Sequence, residues 1–317
     1  DDPSNDCCQQ PCDDGELCTT DSCDPETGKC QFEPVDCAAG EICDSTIGCV
    51  EAPLCFAEEN CSCGEIFSSE YAFAALKDDG SVVTWGGLGG DSSAVSASLT
   101  SDVQTIFYAS GSFAALKEDG SVVTWGSSDT GGDSSAVSDS LTSGVKTIFS
   151  TEQAFAALKD DGSVVTWGMG LQEGDAYSYG GDSSSVSADL DGTKPVTTIY
   201  STRHAFAALR SDGSVVTWGD EHAGGVSSAV SADLNGTPPV TEIFSTGGAF
   251  AALRSDGSVV TWGHSAEGGN SSTVSDSLAT GVQRVFSTGY AFAALKENGL
   301  VVTWGWGLNG GENNFGG

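Results

Sequence analysis

The chain has 317 residues, with 11 Lys or Arg against 45 Asp or Glu, a formal net charge of -34. Phosphate binding needs clustered basic side chains, so this balance excludes nucleic acid as an expected partner and disfavours an anionic membrane surface. No run of about 18 apolar residues occurs, so no membrane-spanning helix is expected.

All 12 cysteines lie between Cys7 and Cys63. The sequence therefore divides into a cysteine-rich module over 1–63 and a cysteine-free repeat domain over 64–317. The module is poor in large apolar side chains, and a chain of that size needs disulfides or a metal to hold it. Zinc is disfavoured, because no Cys-x-x-Cys pair and no His occur there. Disulfides are expected at Cys7, Cys8, Cys12, Cys18, Cys23, Cys30, Cys37, Cys43, Cys49, Cys55, Cys61 and Cys63, with a connectivity that sequence does not fix. The module repeats internally: Cys12 and Cys18 enclose Asp-Asp-Gly-Glu-Leu, and Cys37 and Cys43 enclose Ala-Ala-Gly-Glu-Ile. The unit from Cys18 to Cys30 resembles short cysteine-rich repeats of extracellular matrix and cell-surface proteins. That resemblance implies an extended spacer outside the cell.

From Ile66 onward one phrase returns six times. Its first copy runs from Ala72 to Gly86, and its tryptophans are Trp85, Trp125, Trp167, Trp218, Trp262 and Trp304, spaced 40 to 51 residues apart. Phe73-Ala74-Ala75-Leu76 and the β-branched run Ser81-Val82-Val83-Thr84-Trp85 read as two strands. Asp79-Gly80 between them is a hairpin signal, because Gly tolerates the positive φ of a tight turn. A further short strand precedes each hairpin, as at Ile66-Phe67-Ser68. After each Trp-Gly come a variable loop, a Gly-Gly step and, in most copies, a Ser-rich run ending at Leu. Each unit thus holds three or four short strands, and a period in this range, built of antiparallel hairpins, predicts an all-β propeller, with four-stranded blades favoured over parallel rungs. The tryptophans are expected in the core, where full burial of one contributes about 4–6 kcal/mol as an upper bound.

Ala-Leu, Asp-Gly-x-Val, Trp-Gly, a loop and Gly-Gly resemble the regulator-of-chromosome-condensation repeat. That resemblance implies a β-propeller, usually of seven blades; six units here imply six blades, or seven with an irregular closure. The family's His before the Ala-Leu strand is matched only by His204; Tyr71, Gly111, Gln153, Gly248 and Tyr290 stand elsewhere. Nucleotide exchange is therefore not implied. The repeat domain begins and ends within a unit, so one blade is expected to pair first and last segments. That blade is expected to lack an outer strand, and a neighbouring subunit to cover its edge.

Chemistry-bearing residues are sparse. His204, His222 and His264 sit at different positions of different units and read as structural or solvated. Asp91, Asp133 and Asp182 follow Gly-Gly and read as Asx-turn residues rather than calcium ligands. No catalytic residue, metal site or cofactor is expected, and the chain does not read as an enzyme. Asn60, Asn235 and Asn270 fit the glycosylation pattern. The expectation is a secreted or cell-surface structural protein, a subunit of an extracellular fibre, appendage or matrix that associates with itself or other extracellular proteins. The alternative is an extracellular propeller that binds protein or glycan, through loops such as 169–179.

Overall fold

The structure, a computed structural model, describes the backbone at residues 19–23, 30–34, 41–44, 48–51 and 63, and backbone with side chains over 64–170 and 178–311. The chain forms two compact units, Asp1–Glu65 and Ile66–Gly317. In the first, two antiparallel hairpins are described. Strands β1 (Thr19–Cys23) and β2 (Cys30–Pro34) form one, with Cys23 opposite Cys30; β3 (Glu41–Asp44) and β4 (Gly48–Glu51) form the other, with Cys43 opposite Cys49. The remaining cysteines of the module other than Cys63, together with Asn60, lie outside the described residues.

Six three-stranded antiparallel sheets follow, the blades of a β-propeller fold. Blade 1 is β5 (Cys63–Ser68), β6 (Ala72–Lys77) and β7 (Val82–Gly86). Blade 2 is β8 (Val103–Ala109), β9 (Ser112–Lys117) and β10 (Val122–Gly126). Blade 3 is β11 (Val145–Ser150), β12 (Ala154–Lys159) and β13 (Val164–Gly168). Blade 4 is β14 (Val196–Ser201), β15 (Ala205–Arg210) and β16 (Val215–Gly219). Blade 5 is β17 (Val240–Ser245), β18 (Ala249–Arg254) and β19 (Val259–Gly263), and blade 6 is β20 (Val282–Ser287), β21 (Ala291–Lys296) and β22 (Val301–Gly305).

Two expectations are corrected. The blades have three strands, within the expected three or four but not the favoured four. The Ser-rich run turns into short 3-10 helix instead, as at Ser93–Ser98 and Ser184–Asp189. The Asp after Gly-Gly starts that turn: Asp91 Oδ1 accepts the Ser93 N–H, and Asp133 and Asp182 repeat the bond at 2.8–2.9 Å. Ser96 Oγ then donates to Ser93 O, which favours tight turns over a ladder. The second correction concerns closure. Among the described residues every blade consists of three consecutive strands, so none combines first and last segments and none is short of a strand.

The hairpin turn is a three-residue loop. Gly80 N–H donates to Lys77 O, Lys77 N–H donates to Ser81 O, and Gly80 sits at φ +75°. This is a type I turn closed by a glycine bulge. The same glycine meets the next blade, since its carbonyl accepts the Val103 N–H at 3.0 Å. The bond recurs from Val145 to Gly120, Val196 to Gly162, Val240 to Gly213 and Val282 to Gly257.

Within each blade the Phe of the middle strand stacks on the Trp of the third at centroid distances of 5.2–5.4 Å. Between blades the pair seats on the glycine that opens the preceding Gly-Gly step. Trp125 Nε1 donates to Gly89 O, Trp167 to Gly131 O, Trp218 to Gly180 O, Trp262 to Gly224 O and Trp304 to Gly268 O, all at 3.0–3.1 Å. A Cβ on any of these five glycines would lie 2.5–3.1 Å from the ring of the incoming Phe. The described core is accordingly five clusters, each drawn from two adjacent blades.

Candidate functional site

The five clusters define two faces of a blade. The leading face carries the Ile or Val of the first strand with the Phe–Trp pair. The trailing face carries small Ala residues, a first-strand aromatic and the socket glycine. Blade 1 has a leading face with no described blade before it, and blade 6 a trailing face with none after it.

The exposures are unlike the interior ones. Ile66 is 56% exposed and Phe73 45%, whereas their counterparts Ile106, Ile148, Ile199 and Ile243, and Phe113, Phe155, Phe206, Phe250 and Phe292, are at most 2% exposed. On blade 6, Phe286 is 49% exposed and Val301 39%. The socket glycine Gly310 has nothing within 4 Å of a built Cβ, and neither has the hairpin glycine Gly299. A cleft of about 200 Å³ opens there, lined by Phe286, Thr288, Ala291, Ala293, Asn309 and Gly310 among others.

A second constellation lies at one end of the array. There the turns before the middle strands join blade to blade: Glu70 N–H donates to Ser110 O, Ser110 to Glu152 O, Glu152 to Arg203 O, Arg203 to Gly247 O and Gly247 to Gly289 O. Arg203 is the hub of its side chains. Its Nε lies 3.9 Å from Glu152 Oε1, its Nη1 3.7 Å from Glu267 Oε2, and its guanidinium 5.1 Å from the Tyr290 ring centroid. It occupies the space a Cβ on Gly247 would need. One side chain thus braces blades 3, 4, 5 and 6.

His204, His222 and His264, read from sequence as unrelated, line one cleft of about 170 Å³ with Arg203, Asp220 and Glu267. His204 Nε2 is 3.3 Å from Glu152 Oε2, and its ring meets Tyr179 edge-on. The convergence comes from two backbone bonds. Asp220 N–H donates to His204 O, and His264 N–H donates to Gly248 O. These bonds tie the loop after Trp-Gly to the turn before the middle strand of the same blade. Among the described residues no group of three or more His, Cys, Asp or Glu is placed to hold a metal ion.

The other sequence-predicted positions are placed as follows. Trp125, Trp167, Trp218, Trp262 and Trp304 are buried, and Trp85 in blade 1 is half-buried. Asn235 and Asn270 are exposed in turns, where Asn235 Oδ1 accepts the Thr237 N–H and Asn270 Oδ1 the Ser272 N–H. Of the loop at 169–179, residues 171–177 lie outside the described residues.

The family described as the Dictyostelium (slime mold) repeat matches residues 11–35. No curated protein matches the chain. Among solved structures, the chain is similar to the ectodomain of the receptor kinase CR4 from Physcomitrella patens, at 14% identity and a TM-score of 0.43, covering 78% of this chain and 63% of that one. Human WBSCR16 gives 16% identity and 0.44, covering 76% of each. Yeast RCC1 (Prp20), solved with Kap60, gives 15% and 0.39, covering 89% of this chain and 61% of that one. The chain thus spans less than two thirds of the CR4 and yeast RCC1 chains. At these identities the likeness is one of fold.

Proposed function

We propose that this protein is a structural subunit of an extracellular assembly, a fibre, surface appendage or matrix, and that it works by contact rather than by catalysis. The observation that carries the reading is the exposure of Ile66 and Phe73 on blade 1 and of Phe286 and Val301 on blade 6. An apolar surface held rigid at a fixed place is what an assembling subunit needs, and such surfaces mark interaction sites on soluble proteins. The cysteine spacing and the exposed Asn235 and Asn270 support an extracellular setting, with disulfides in the N-terminal module and sugars on the propeller. The strongly acidic composition keeps single copies soluble.

The test is sedimentation of the native, unreduced protein over a range of concentrations. Multimers of the 32.1 kDa chain that dissociate on dilution are expected. A single species of one chain's mass at every concentration would remove the structural reading.

A further inference from the structure

We propose that the end of the array where the turns link blade to blade holds a binding site for a neutral saccharide, centred on Tyr108. The site needs no second copy of the chain and stands apart from the assembly reading.

One position of the repeat points to it. In the first strand, the residue opposite the middle-strand Phe is a serine in blades 3 to 6: Ser150 faces Phe155, Ser201 Phe206, Ser245 Phe250 and Ser287 Phe292. Ser68 holds the same place in the sequence of blade 1. Blade 2 departs, with Tyr108 opposite Phe113. The change adds nothing to the core. Tyr108 is 47% exposed, and its ring and hydroxyl have no aromatic or hydrogen-bond partner among the described residues. The departures beside it are structural by contrast. Thr151, Thr202 and Thr246 donate to loop carbonyls in blades 3, 4 and 5; blade 2 has Ala109, and Ser112 Oγ donates to Thr130 O instead.

Tyr108 stands at a cleft of about 380 Å³, within the size range of small-molecule sites. Glu70, Ser150, Glu152, Ser201 and Arg203 line it as well. The Ser150 and Ser201 hydroxyls have no hydrogen-bond partner among the described residues. Glu70, Ser110, Glu152 and Arg203 take successive places in the chain of backbone bonds around this end, and Gly247 and Gly289 follow. The scaffold therefore repeats while the side chains that it presents do not.

These groups define the chemistry of the ligand. Carboxylates only accept hydrogen bonds, a guanidinium only donates, and serine and tyrosine hydroxyls do both. A polyol satisfies all three kinds, because each of its hydroxyls donates and accepts. The Tyr108 ring offers a flat apolar surface to the C–H face of a sugar ring, with a polar tip beside it. Two carboxylates against one guanidinium, in a chain of net charge -34, disfavour an acidic sugar. A cationic ligand would meet the Arg203 guanidinium across the same cleft.

The test exposes the full-length, unreduced protein to a printed array of neutral, acidic and amine-bearing saccharides, followed by titration calorimetry with the neutral sugars retained. Tyr108→Ser writes into blade 2 the residue of the other blades, so its thermal midpoint is expected to match that of the unaltered protein. Its affinity for those sugars is expected to fall roughly 10-fold or more, as on loss of a central aromatic anchor. Three results would each overturn the site: retention of no neutral sugar, binding that Tyr108→Ser leaves unchanged, or Tyr108-dependent capture of acidic or amine-bearing saccharides alone.

Discussion

One pair of matched substitutions measures directly whether the last socket is empty. Gly224 and Gly310 occupy the same place in blades 4 and 6, at φ +97° and +99°. An alanine at either position holds a non-glycine residue at positive φ, which costs about 1–2 kcal/mol. At Gly224 the new methyl would also lie 2.6 Å from Cδ2 and 2.9 Å from Cε2 of Phe250, a ring with no exposed surface. Forcing a methyl into packing of that kind costs about a further 1–3 kcal/mol. At Gly310 it would meet nothing within 4 Å. Gly224→Ala is therefore expected to destabilise the propeller by about 2–5 kcal/mol and Gly310→Ala by about 1–2 kcal/mol. For a domain of this size each kcal/mol shifts the thermal midpoint by roughly 2–4 °C. The assay is thermal unfolding followed by tryptophan fluorescence, in solution dilute enough to keep single copies. Equal losses for the two variants would refute the reasoning, because they would mean that a ring already lies over Gly310.

Trp218→Phe removes the donor to the buried Gly180 carbonyl and part of a buried ring, and is expected to lose about 2–4 kcal/mol by chemical denaturation; Trp85→Phe, at a half-buried site, is expected to lose less. Hydrogen bonds from the Ser163 hydroxyl and then its backbone N–H hold the Asp161 carboxyl below the usual carboxylate range. A lowered folded value stabilises the protein above the unfolded value near 3.9 and loses that contribution as pH falls below it. Ser163→Ala is thus expected to be less stable than the unaltered protein at pH 7, with the gap narrowing as pH falls below about 4 in urea titrations. With a net charge of -34, association of copies is expected to strengthen as added salt screens their repulsion, read by light scattering between about 0.01 and 0.5 M NaCl; weakening with salt would contradict an apolar contact. Secreted protein treated with an endoglycosidase is expected to lose mass, and Asn235→Gln with Asn270→Gln to lose the propeller's share of that shift.

The parts of the fold that repeat were legible in the sequence. Phe73, Asp79-Gly80 and Trp85 already specify a hairpin and a stacked pair, because strand period and turn chemistry are local. The Ser-rich run was less legible. Its Val95 and Leu99 suggest a fourth strand. The Asx bond of Asp91 and the short Ser side chains instead turn the chain into 3-10 helix, and Leu99 is buried from that turn. The histidine cleft was hidden because His204 precedes a middle strand while His222 and His264 follow third strands. Only the bonds at Asp220 and His264 show that these positions share one end of the blades. Arg203 gave no signal for a similar reason. Its place at the hub depends on Gly247 leaving room for it, a vacancy that lies across a blade boundary. The exposure of Phe73 and Phe286 could not be read either, since Phe73 looks like its buried copies and Phe286 like its half-buried ones in every local respect.

The central claim is that this chain is a subunit that assembles through contacts of its six-bladed domain. Electron microscopy of the purified, unreduced protein tests it most directly. Single copies at low concentration are expected to average to a six-bladed array interrupted between blades 1 and 6. At high concentration those arrays are expected to associate. Closed six-bladed rings with blade 1 seated on blade 6 of the same chain, single at every concentration, would contradict the account.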